Sequence, residues 1–156
     1  MKWIPFLQAI VAESDKMAMT YYTKAKLKVE HKDDMSPVSE GDLAIENHIR
    51  KLVAETHPEL SIIGEEYGET QTDSDVKLII DPIDGTKNFI KGIPFFATLL
   101  AIEEKGEVVA GFVSAPANND HWWAEKGCGA FYNGDPIQVS TESQLDKSQA
   151  FHGSLW

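Results

Sequence analysis

Two short apolar runs that end in acid constrain this chain more than any other feature. Leu78-Ile79-Ile80 reads as a buried strand and leads straight into Asp81-Pro82-Ile83-Asp84-Gly85-Thr86. Pro82 offers no N–H to a ladder and is expected to end that strand, while Gly85 frees the backbone beside it. Upstream, Ser61-Ile62-Ile63 runs into Gly64-Glu65-Glu66 in the same way. An acidic turn by itself is usually a solvated loop. Carboxylates from both strand ends, however, make an oxygen cage suited to a hard cation such as Mg²⁺.

At 156 residues the chain suffices for one domain with a real core. Its longest apolar runs are too short to cross a bilayer. Met1-Lys2-Trp3 opens a mixed, helix-like segment rather than a secretion signal, so the cytoplasm is the expected compartment. The single cysteine, Cys128, has no partner for an internal disulfide and sits between glycines as a small filler. A formal net charge of −11 argues against a nucleic-acid partner, since nothing here neutralises a run of phosphates. A small phosphorylated ligand stays compatible with that charge if divalent metal stands between its phosphate and the protein's carboxylates.

Along the chain, residues 4–28 carry Leu7, Ile10, Val11, Ser14, Ala18, Tyr21, Tyr22 and Ala25 at helical spacing. Residues 31–38 read as a polar connection. Ser39-Glu40-Gly41-Asp42 then matches a capping box that opens a second helix, which stops before Pro58. As a capping residue Asp42 need only tie down the helix end, although acid at that terminus can also face a cation. Residues 87–92 form a short helical turn closed by Gly92, so Gly85-Thr86 would present backbone N–H groups to an anion. From Pro94 onward the texture is β, with hairpins at Glu104-Lys105-Gly106 and Asn133-Gly134 and a strand over 120–125. The predicted fold class is α+β, two long N-terminal helices packed on an antiparallel sheet.

Among motifs, the D-x-D-x-T strand end of aspartyl-phosphate phosphatases is the nearest competitor. There both carboxylates share one side of an extended strand, which Asp81 and Asp84 with a proline between them do not. Nucleotide-binding glycine loops, His-Glu-x-x-His and paired cysteines are absent, and no histidine is tied to a serine elbow.

Gly64-Glu65-Glu66 followed by Asp81-Pro82-Ile83-Asp84-Gly85-Thr86-Lys87-Asn88-Phe89 resembles the first signature of the inositol monophosphatase family, magnesium-dependent and lithium-sensitive phosphomonoesterases. Residues 36–42 resemble the family segment ending in Thr-x-Ala-Asp, with Gly41 in place of alanine, and residues 127–134 resemble its glycine-rich hairpin. The resemblance implies the N-terminal half of the inositol monophosphatase/fructose-bisphosphatase-like fold. It implies Mg²⁺, two or three ions per site, with Li⁺ inhibitory. Glu65 would bind the first metal and, with Thr86, orient the attacking water. Asp81 would bridge metals, the Ile83 carbonyl would complete the first site, and Asp84 would bind the second. Backbone groups of Gly85 and Thr86, beside Asp84, would hold the substrate, and Asp42 would face a weaker third cation. Asp34-Met35-Ser36-Pro37-Val38, Gly92-Ile93-Pro94-Phe95 and Val113-Ser114-Ala115-Pro116 followed by Trp122-Trp123-Ala124 look most like bacterial histidinol-phosphate phosphatases within the family.

The family's second signature, Trp-Asp-x-Ala-Ala-Gly, has no match here. The expected organisation is therefore an α+β metal-binding phosphatase half over residues 1–140, with 141–156 beginning a second, α/β half. The expected function is Mg²⁺-dependent hydrolysis of a small phosphomonoester by metal-activated water, histidinol phosphate first and inositol monophosphate next. The rival is a non-catalytic metal-binding or self-associating module. A homodimer or higher assembly is the expected state, since a missing half would leave a sheet edge or helix face open.

Overall fold

The computed structural model describes residues 1–149. Helix α1 (Ile4–Tyr22) and helix α2 (Glu40–Thr56) are the long helices, and α3 (Thr86–Ile90) is a single short turn. Strands β1 (Val29–His31) and β2 (Pro37–Ser39) form a separate hairpin. Then come β3 (Ser61–Gly64), β4 (Gly68–Thr70), β5 (Val76–Asp84), β6 (Ala97–Glu104), β7 (Glu107–Ala115), β8 (Asp120–Glu125), β9 (Gly129–Tyr132) and β10 (Asp135–Ile137). They build an eight-stranded sheet in the order β10-β9-β8-β7-β6-β5-β3-β4. The α+β class expected from the sequence is the one observed.

Both long helices lie on one face of this sheet. Ile4, Leu7, Ile10, Val11 and Ala18 of α1 and Ile45, Ile49 and Val53 of α2 meet Leu78, Ile80, Leu100, Ile102 and Phe112 from alternate strand positions. The two periods, 3.6 and 2, thus aim at one core. Each fully buried Leu or Ile contributes about 1.5–3 kcal/mol. Glu125 of β8 closes the start of α1, its Oε2 accepting from Trp3 N at 2.9 Å and Ile4 N at 3.2 Å. A carboxylate there answers donors that have no partner within the helix.

Four expectations need correction. Helix α1 ends at Tyr22, not at 28. Thr23 turns its hydroxyl back onto Met19 O, and Glu40 draws the following segment away by accepting from Lys24 Nζ and Lys28 N. Second, β5 continues through Pro82 to Asp84. Its parallel neighbour β3 stops opposite Ile80, and the pairing with β6 is irregular between Asp81 and Asp84, so the missing N–H removes no ladder bond. Third, the sheet is not wholly antiparallel, because β3 runs parallel to β5. The connector after β4 crosses back over the start of β3, where Thr72 N donates to Ser61 Oγ and Thr72 Oγ1 to Glu59 O. The segment expected as a plain polar connection also contains the β1–β2 hairpin.

The sheet face away from the helices is open. Strand register lines up Ala101, Gly111, Ala124 and Ala130 across it, forming the floor of an apolar trough of about 470 Å³ walled by Leu99, Val113 and Trp122. Residues 141–149 are exposed, with a single 3₁₀ turn at Leu145–Lys147. The remainder of the expected 141–156 segment lies outside the described residues.

Candidate active site

Glu65 and Asp81 arrive from parallel neighbours. Glu65 N donates to Ile80 O at 3.1 Å, extending the β3–β5 pairing by one step, and the Glu65 and Asp81 carboxylates are near neighbours where it ends. Burial pushes the Asp81 carboxyl up to about 8, with the nearby Glu65 charge next in effect and Asp84 and Asp42 adding to it. Asp81 Oδ1 is buried without any hydrogen-bond partner. A buried carboxylate oxygen left unsatisfied among like charges is costly in a protein interior, and a cation is the natural counterpart. The donor set is oxygen only, which suits Mg²⁺. Among the described residues no three acidic, histidine or cysteine side chains converge on one point.

Asp42 is placed differently. It is 1% exposed, and its Oδ2 accepts from Ser39 N at 2.8 Å and Ser39 Oγ at 2.5 Å, while Ser39 Oγ accepts from Gly41 N. The capping box read from the sequence is therefore present. Its Oδ1 lies 3.1 Å from Thr86 Oγ1, which is also 3.0 Å from Ile83 O. Burial raises the Asp42 carboxyl above its ordinary range, against hydrogen bonds from Ser39 and Thr86 that lower it. The structure thus joins Asp42, Ile83 and Thr86 in one chain, and it brings Glu65 to Asp81. Asp84 ends β5 exposed.

Gly85 opens α3 at φ +87°, and a Cβ there would come within 2.8 Å of Phe95 O. Both the left-handed backbone and the close approach call for glycine. Gly85 O accepts from Asn88 N at 2.8 Å and Phe89 N at 3.0 Å, which leaves Thr86 N and Lys87 N as the α3 donors without a partner inside the turn. Beneath it, Phe89 packs edge-on against Phe96 with centroids 4.8 Å apart, and Tyr22 OH donates to Gly92 O at 2.7 Å. Tyr22 also packs on both phenylalanines, its ring centroid 5.7 Å from that of Phe89 and 4.9 Å from that of Phe96.

Sequence reasoning missed the groups that brace Glu65. Glu46, wholly buried in α2, accepts from Glu66 N at 2.7 Å, Tyr67 N at 3.2 Å and Arg50 Nε at 2.8 Å. Arg50 NH1 reaches on to Thr70 Oγ1 at 2.8 Å. Glu46 and Arg50 are spaced one helical turn apart, a pattern that was readable but resembles an ordinary surface pair. Lys32, in the β1–β2 loop, donates to Glu65 Oε1 and Glu66 Oε1 at 2.9 Å each. Its hydrogen bonds and charge contacts with both glutamates outweigh desolvation and hold the ammonium above its ordinary value. No local signal marked Lys32. A cleft of about 960 Å³ collects Glu65, Asp84, Gly85 and Thr86 with Lys87 and Asn88 of α3 and Lys91 just past it, and Asp120 and Trp122 form part of its lining.

Residues 2–155 match the sequence profile of the inositol monophosphatase family. A histidinol-phosphatase from Streptomyces coelicolor is 45% identical over 151 residues, covering 91% of this chain and 56% of its relative. An inositol monophosphatase from Dictyostelium discoideum is 34% identical, covering 89% of this chain and 52% of that protein. Among solved structures, Thermotoga maritima IMPase superposes with a TM-score of 0.86 at 35% identity, over 94% of this chain and 57% of that one. The chain spans about half the length of the curated relatives it matches. With the profile matched almost end to end and the fold shared, the chain belongs to the inositol monophosphatase family.

Proposed function

We propose that residues 1–140 form the metal- and phosphate-binding half of a phosphomonoesterase acting on a small phosphorylated metabolite, with histidinol phosphate favoured and inositol monophosphate next. The observation that carries this reading is Asp81, half-buried beside Glu65 with its Oδ1 buried and unpartnered, in the strand that leads into the glycine-opened turn at Gly85-Thr86. Glu65, Asp81, Asp84 and the Ile83 carbonyl would hold Mg²⁺, with Asp42 fixed behind them. Bound Mg²⁺ would lower the pKa of water and neutralise phosphoryl charge.

The chain's own groups do the positioning. Thr86 has one hydroxyl proton and two acceptors in reach, Asp42 Oδ1 and Ile83 O. While it donates to either, its oxygen lone pairs stay open to accept from a water, which Glu65 would orient from the other side. The N–H groups at the start of α3 would receive phosphate oxygens, and Lys87 and Lys91 add positive charge to the same cleft. The favoured ester rests on the names of the histidinol-phosphatase relatives.

The test is hydrolysis of histidinol phosphate and inositol 1-phosphate by the purified chain, with and without Mg²⁺. Turnover needing Mg²⁺ and lost in Asp84→Asn supports the reading; turnover indifferent to both overturns it.

A second reading, a metal-binding or self-associating module without activity, is favoured by the open trough over Ala101, Gly111, Ala124 and Ala130. Mg²⁺ binding without turnover, in a chain that sediments as a dimer or larger, would support it.

A further inference from the structure

The far wall of the cleft carries chemistry that the phosphate end does not use. Besides Glu65 and Asp84, Asp120 is the remaining carboxylate lining it among the described residues. Asp120 opens β8, and strand alternation puts Trp122 on the same face two positions on. Trp122 pairs across the ladder with Tyr132, their rings stacked with centroids 5.2 Å apart and 27° between planes. Tyr132 OH donates to Asp120 Oδ1 at 2.5 Å, and Asn133 Nδ2 lies 3.4 Å from the same oxygen. One carboxylate oxygen is thus pinned. Among the described residues Oδ2 accepts no hydrogen bond and Asp120 pairs with no cation.

We propose that Asp120, held against the Trp122 and Tyr132 rings, is a substrate-binding residue that receives a cationic nitrogen on the alcohol part of the phosphomonoester. A fixed anion beside aromatic faces is the chemistry that recognises an ammonium or imidazolium. It offers little advantage to a neutral polyol, and it repels a second phosphate. Tyr132 keeps the carboxylate aimed, its hydroxyl donating to Oδ1 at 2.5 Å. The subsite gives the cleft two unlike ends: metal carboxylates and α3 for phosphate, Asp120 for a positive leaving alcohol. This inference rests on the phosphatase reading for its substrate, and its test separates the two.

Asp120→Asn keeps the shape and an oxygen for Tyr132 but removes the charge. Against histidinol phosphate it is expected to raise KM about tenfold. With inositol 1-phosphate the change is expected to stay within about twofold, with an unaltered melting temperature. Tyr132→Phe retains the charge and is expected to cost less than Asp120→Asn on the cationic ester. Equal loss on both esters, or no loss, overturns the subsite. Calorimetric binding of histidinol itself, which has no phosphate, runs alongside. If neither ester is hydrolysed but Asp120→Asn still weakens histidinol binding about tenfold, the phosphatase reading falls and the subsite stands. Histidinol that does not bind, or binds both proteins alike, overturns the subsite whatever the turnover.

Discussion

The Glu46 carboxylate occupies the space where a side chain on Gly64 would begin: a Cβ there would lie 1.9 Å from Glu46 Oε1 and 2.7 Å from an Arg50 guanidinium nitrogen. The glycine is what lets a buried acid on α2 pass beneath β3 and take the N–H groups of Glu66 and Tyr67. The loop that presents Glu65 is therefore anchored by an ion pair whose Glu46 carboxylate is wholly buried and whose Arg50 is half-buried. Removing one partner of such a pair leaves the other charged and unpaired, at a cost of about 3–5 kcal/mol. Glu46→Ala is expected to lose that much in urea unfolding. Gly64→Ala, which forces the held carboxylate aside, is expected to lose about 1–3 kcal/mol. Losses below about 0.5 kcal/mol, the scale of an ordinary surface change, would show that the brace is not what holds this loop.

Asp81 links stability to pH with a definite sign. Its folded carboxyl lies near 8 and its ordinary value is 3.8, so between those limits the folded chain holds a proton that the unfolded chain has released. Stability must then fall as pH rises through that window. In metal-free buffer the melting temperature is expected to drop between pH 5 and 8, the interior of the interval bounded by 3.8 and about 8. Mg²⁺ should restore it, since a ligand bound only by the folded form stabilises that form. Asp81→Asn should flatten the pH dependence and abolish the response to Mg²⁺. A metal-free chain equally stable across the window would show that Asp81 ionises without penalty.

Gly85 tests the turn that carries the N–H groups proposed to receive phosphate. A side chain there must adopt φ +87° and also crowd Phe95 O at 2.8 Å. Strained backbone of this kind costs about 1–3 kcal/mol. Gly85→Ala is expected to lower the melting temperature and to remove hydrolysis even at saturating Mg²⁺, because the opening of α3 must shift away from Phe95. Full activity in this variant would show that the turn tolerates the displacement and that its shape does not set phosphate position.

What the sequence made legible were the features with local causes. The Lys105-Gly106 and Asn133-Gly134 hairpins declare themselves through residues that accept positive φ, and all four do so here. The capping box at Ser39 and Asp42 and the acid-ended strands are equally local. The rest depended on partners distant in the chain. Pro82 looked like a strand end because its ladder duties were invisible until β3 was known to stop opposite Ile80. Glu46 and Arg50 carry in the sequence only the spacing of an i,i+4 pair, and their place under the sheet depends on the room left by Gly64. Asp120 acquires meaning only from Tyr132 and from the cleft it shares with Thr86.

Thr86 is the position where chemistry and structure can be separated most cleanly. Its hydroxyl lies between Asp42 Oδ1 and Ile83 O, at 3.1 and 3.0 Å. Thr86→Ala removes the one donor available to Asp42 Oδ1, and a buried acceptor left without a partner costs about 1–3 kcal/mol. It also removes the oxygen proposed to orient the attacking water. Loss of a group that positions the attacking water is worth about 10²-fold in rate, so kcat should fall by that order while KM changes little. Thr86→Ser keeps the hydroxyl and sheds only a methyl group. It should recover most of kcat and most of the lost stability together. If Thr86→Ala loses stability but keeps kcat, the threonine serves only the fold, and the water must be oriented by Glu65 without it.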